Sequence, residues 1–135
     1  MHLEVMLRIV IAAAVVAALS SHAYAQKTLN MPIDFIGEWC FATRDDKNTT
    51  SYTLPSWTQD GRCTNIFAID RYGFYYEKKN CEAVKIQLGK STAPSGTSYT
   101  ATVTARCVSD GPVTAGELRT FQFYRYKGNL TVTTK

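Results

Sequence analysis

Few residues in this chain have side chains suited to chemistry. Both histidines, His2 and His22, fall within residues 1–25, a segment with the features of a removable leader. Downstream there is no imidazole to act as the base of a Ser-His-Asp or Cys-His site, nor to ligate a transition metal. The four cysteines are Cys40, Cys63, Cys81 and Cys107. An even number in a small exported chain predicts two disulfides, which would remove the thiolates from chemistry. None of the four has the close ligand spacing of a zinc site. The adjacent carboxylates Asp45 and Asp46 could do glycosidase-type work only if held about 5–9 Å apart in a cleft. They sit in the turn-rich stretch TRDDKNTTS, where a solvated turn is the expectation. No catalytic residue, metal or cofactor is expected; a carboxylate-dependent hydrolase is the remaining enzymatic alternative.

Binding chemistry is better represented. The candidates are Trp39, Trp57, Tyr72, Tyr75, Tyr76 and Arg125. Tyr75 and Tyr76 are neighbours in an aromatic run, so on a strand they point to opposite faces and one meets solvent. An exposed Tyr or Trp is a favoured interface anchor. Trp57 follows Pro55 in a loop and either waits for a partner or folds over one end of the domain. The formal charge is +4, with the cations scattered and only Lys78 and Lys79 adjacent. A nucleic-acid surface would concentrate them in a stripe, so no nucleic-acid partner is expected. The expected partner is another protein or a small apolar ligand.

The elements that must position these residues follow from the pattern. Arg8, the apolar run 9–19 and the Ala23-Tyr24-Ala25 site have the order of a secretory signal peptide. The run is shorter than the ~20 residues that span a bilayer. Cleavage after Ala25 would leave residues 26–135 as one domain without stable membrane insertion, in the periplasm or outside the cell. Residues 26–34 have no period and are expected to be a flexible arm. Strands are predicted at 35–43, 63–70, 73–78, 81–88, 99–108, 117–126 and 130–134, with a short edge strand before Pro55. Residues 43–51, 89–98 and 109–116 are predicted to be turns. No segment after the leader has a helical period. Seven or eight short strands predict an all-β antiparallel meander, closed as a barrel or left as a sandwich.

Register carries this further. With Gly128-Asn129 as a hairpin loop, Arg125 faces Val132 and shares a face with Phe121 and Phe123. A cation there belongs at a rim, or against an aromatic ring or an acid. Cys81 and Cys107 are symmetric about Pro94, which favours Cys81–Cys107 and leaves Cys40–Cys63. Cys63 and Cys81 are equally symmetric about Tyr72, so Cys63–Cys81 with Cys40–Cys107 stays open.

Gly37-x-Trp39 on the first strand, a β meander and an Arg near the last strands resemble the lipocalin, or calycin, signature. The resemblance implies a small barrel closed at one end by Trp39, with Arg125 (or Arg119) across its ring. The Gly-x-Trp strand followed by the cysteine-opened run CTNIFAIDRYGFYYEKKNC is similar to the small periplasmic barrels that inhibit bacterial metalloproteases. That resemblance implies an inhibitory arm at residues 26–34. The run DGPVTAGELRTFQFYRYKGNLTVTTK also resembles small exported alphaproteobacterial proteins, which brings no activity with it.

Overall fold

In the computed structural model, residues 29–58 and 61–135 are described; the segment 1–25 read as a signal peptide and residues 26–28 lie outside them. Eight strands form a closed antiparallel barrel: β1 Gly37–Arg44, β2 Thr49–Thr53, β3 Phe67–Ile69, β4 Gly73–Tyr76, β5 Lys79–Ala93, β6 Gly96–Val108, β7 Glu117–Tyr126 and β8 Asn129–Thr134. Closure gives every strand a neighbour on each side, although β5 outruns β4, which it pairs only from Lys79 to Glu82. The expected edge strand before Pro55 is therefore an interior one, β2, paired with β1 on one side and β8 on the other.

From β3 to β8 the chain is a meander. β1 and β2 are exchanged relative to that pattern: around the barrel β1 lies between β2 and β3. The chain leaves β2 with Leu54 N–H on the Gly128 carbonyl and reaches β3 with the Thr64 carbonyl on Phe41 N–H, so residues 61–66 form a strap on the outside of β1. It explains Cys40. Trp39 points into the barrel and Cys40 points out, yet both are buried. The strap covers Cys40 and is bonded to it by Cys40–Cys63.

The second disulfide, Cys81–Cys107, joins directly opposed residues of β5 and β6. Its register has a specific cause. At the tip, Ala93 pairs Gly96 around the loop residues Pro94 and Ser95, and this register would set Cys81 opposite Val108. Between Ala83 and Lys85 the register shifts by one. The extra residue, Val84, is a bulge, and it brings Cys81 opposite Cys107. It also reverses the facing of the strand: Cys81 and Ala83 are buried, whereas Val84 is exposed. The expectation that Val84, Ile86 and Leu88 share one face fails at this bulge.

Three other expectations change. Residues 89–98 are the long tip of the β5–β6 hairpin rather than a loop, and the loop predicted at 43–51 contracts to residues 45–48. The β7–β8 loop is Lys127-Gly128, with Tyr126 opposite Asn129 and Arg125 opposite Leu130. The slip is two residues, one full side-chain period, so Arg125 keeps its predicted face. Residues 63–66 precede β3 without joining it.

The interior is aromatic. Phe67, Phe74, Tyr76, Phe121 and Phe123 pack with ring centroids 4.8–6.4 Å apart. The small inward residues Ala101, Val103 and Ala105 of β6 leave room for the two phenylalanines of β7. Each large ring contributes about 1.5–3 kcal/mol by leaving water. This barrel is filled by its own side chains.

Candidate functional site

The two ends of the barrel differ in kind. One end is sealed. Trp39 donates its indole N–H to the Phe35 carbonyl at 3.0 Å, and the Arg125 guanidinium lies 5.0 Å from its ring centroid. Such a cation over an indole face is held by the ring quadrupole. Arg125 also donates Nη1–H to the Asp34 carbonyl and Nε–H to the Lys127 carbonyl. Gly37 has φ +142°, a conformation open to glycine, which lets the chain turn into β1 above Trp39. Phe35 and Met31 are buried with Trp39, and Met31 N–H bonds the Arg71 carbonyl at 2.7 Å. Residues 29–34, expected to be part of a flexible arm, are thus tied down as a plug. Of the two arginines considered for Trp39, Arg125 is the one on its ring.

The other end is open. It is formed where β1, β4, β6 and β8 finish and β2, β3, β5 and β7 begin. A cavity of about 190 Å³ lies there. Its floor is Phe67, Tyr52, Tyr76 and Val132; its rim carries Arg44, Lys47, Lys79 and Arg119, with Glu77 as the one carboxylate. Each charged group is placed by a strand terminus. Arg44 ends β1 and Lys79 begins β5. Glu77 sits in the β4–β5 turn, where it and Lys78 have φ of 47° and 63°, the two left-handed residues of a tight hairpin turn. Arg44 donates to Glu77 Oε1 at 2.9 Å. This bond spans a place where neighbouring strands part: β1 pairs β3 only from Gly37 to Trp39. A second hollow of about 400 Å³ lies beside it, sharing Arg44, Tyr52 and Glu77 and edged by Ile66 and Tyr75.

Burial sets the state of the phenols. Tyr52 is pushed up to about 12, first by desolvation and then by the Glu77 charge, with Arg44 opposing. Tyr76 is also raised, again mainly by desolvation, with Arg119 pulling the other way. Both therefore stay protonated at neutral pH and offer O–H donors.

The candidates from the sequence are scattered. Trp39 and Arg125 belong to the sealed end. Tyr76 is buried, so of the pair it is Tyr75 that meets solvent. Tyr72 and Tyr75 line one shallow groove on the outer wall with Val113 and Glu82. Trp57 is half exposed and lies against Gly128, where an added Cβ would come within 2.5 Å of the indole; it is folded onto the β7–β8 turn. Asp45 accepts from the Thr43 and Ser51 hydroxyls, both at 2.7 Å, and these bonds lower its pKa. Asp46 accepts the backbone N–H of Asn48 and Thr49. The two carboxylates build the β1–β2 turn. Arg44, Lys47, Tyr52, Glu77 and Lys79 were not singled out from sequence. Their one signal is that each lies at or near a strand terminus, which has meaning only once those termini share an end.

No family model, no curated protein and no solved structure matches this chain.

Proposed function

We propose that the protein is an exported, non-catalytic binding module that meets its partner, another protein, at the open end of the barrel. The observation that carries this reading is the filled interior. A carrier of an apolar ligand needs an enclosed apolar space, and here Phe67, Phe74, Phe121 and Phe123 occupy it. What stays accessible is a cationic mouth over buried tyrosines. Disulfide chemistry supports an oxidising, exported setting; periplasm and extracellular space are equally compatible with it. The anchored plug weighs against residues 29–34 acting as a free inhibitory arm. The sealed Trp39–Arg125 end supports a lipocalin-like barrel as the structural kin.

Site-specific photo-crosslinking in the exporting cell tests the reading. A photoreactive residue at Lys47, on the mouth, should give a discrete protein adduct. The same residue at Thr102, on the barrel wall, should not. Equal labelling from both positions, or none from Lys47, would overturn the proposal.

A further inference from the structure

We infer that the open end of the barrel is an oxyanion site, which takes a carboxylate or phosphate group carried by the ligand. The inference rests on the mouth being the recognition surface, and names the chemistry recognised there.

Three observations carry it. First, the charges converge. Lys47 comes from the β1–β2 loop, Lys79 from the start of β5 and Arg119 from β7, and all three line one cavity with Arg44. The single lining carboxylate, Glu77, is engaged by Arg44. Among the described residues Lys47, Lys79 and Arg119 have no carboxylate at ion-pair distance. Cations held around a concave, low-dielectric wall raise the local concentration of anions.

Second, the cavity has neutral donors beneath the cations. Tyr52 and Tyr76 are each more than nine-tenths buried and both line it. An oxyanion lowered between the cations would meet phenolic O–H groups, and hydrogen bonds to an ionised acceptor are about twice as strong as neutral ones. Arg119 is the natural first contact, because a guanidinium fork matches a carboxylate or phosphate edge.

Third, the size is selective. A volume of about 190 Å³ slightly exceeds the ~150 Å³ that accommodates benzene in an apolar cavity. It holds a small acid or the charged end of a longer chain, and not a folded side of a partner. Phe67 and Val132 at the floor favour an acid with a short apolar stem over a fully hydrated anion.

The test is titration of the disulfide-intact protein with inorganic phosphate and, separately, with benzoate, followed by amide chemical shifts. Saturable shifts are expected at residues 44–52, 76–79 and 119. Benzoate binding tighter than phosphate assigns the site to organic carboxylates; the reverse assigns it to phosphate groups. Arg119→Gln and Tyr76→Phe should each weaken the tighter ligand by roughly tenfold. The Lys90 ammonium lies 5.8 Å from the Tyr99 ring centroid, outside the mouth, so Lys90→Gln should leave binding unchanged. Should Arg119→Gln misfold by its amide spectrum, Lys79→Gln replaces it with the same expectation. The inference falls if neither anion gives saturable shifts by about 20 mM. It falls equally if Lys90→Gln weakens binding as much as Arg119→Gln. Absent anion binding with a discrete crosslink from Lys47 would remove the oxyanion site and leave the mouth as a partner surface.

Discussion

Truncating Phe123 to alanine is the sharpest test of the filled barrel. Its ring is buried and stands 5.3 Å from Phe74, 5.7 Å from Phe67 and 6.0 Å from Phe35, so it joins the central cluster to the plug. Returning a phenylalanine side chain to water costs about 2.5 kcal/mol. Removing the ring empties roughly 100 Å³, and at ~24 cal/mol per Å³ an unrelaxed cavity adds about 2 kcal/mol. Relaxation is restricted, because the neighbours are rings on the strands of a closed barrel. The expected loss is about 4 kcal/mol, a large share of the ~5–15 kcal/mol that stabilises a domain. At about 4 °C per kcal/mol the melting temperature should fall by roughly 15 °C. Urea unfolding with both disulfides intact would measure it, with the m-value unchanged. Benzene should then raise the midpoint of the Phe123→Ala protein and leave the parent protein unmoved, because the vacated space has the shape of a benzene ring and dry, apolar walls. A loss under about 1 kcal/mol, or stabilisation of the parent by benzene, would refute the packed interior and restore the carrier reading.

Other perturbations address the remaining structure. Deleting Val84 removes the bulge but leaves Ala83 opposite Ala105 and Cys81 opposite Cys107; alkylation followed by mass measurement should find no free thiols. Gly128→Ala drives a methyl into the Trp57 indole and should cost about 1–3 kcal/mol, most of it recovered in the Gly128→Ala, Trp57→Ala double variant. Tyrosinate absorbance should show Tyr52 titrating at about 12 rather than at 10. The unfolded chain releases that proton first, so this contribution is intact below pH 10 and declines as pH rises towards 12. Arg125→Met keeps the stem over Trp39 and loses the bond to the Asp34 carbonyl; hydrogen exchange of the Met31 and Phe35 amides should accelerate, with the β6–β7 amides unaffected.

Local pattern determined much of this protein. Alternation in residues 99–108 specified the face of Ala101, Val103, Ala105 and Cys107, because side chains alternate on any strand whatever it pairs with. The same period-two rule kept Arg125 on the aromatic face despite a two-residue error in its hairpin. An even set of cysteines without histidine partners was enough to expect disulfides, and symmetry about Pro94 favoured the correct pair. Tertiary structure decided what depends on distant strands meeting. Val84 is unremarkable in sequence; it becomes a bulge because the cross-linked end and the tip of one hairpin require different registers. The exchange of β1 and β2 leaves no periodic trace, since an antiparallel strand reads the same beside either neighbour, and with it went the reason for burying Cys40. The mouth was hidden for a related reason. Arg44, Lys47, Glu77, Lys79 and Arg119 are ordinary turn and strand-end charges along the chain, and only closure of the barrel gathers them around Tyr52 and Tyr76.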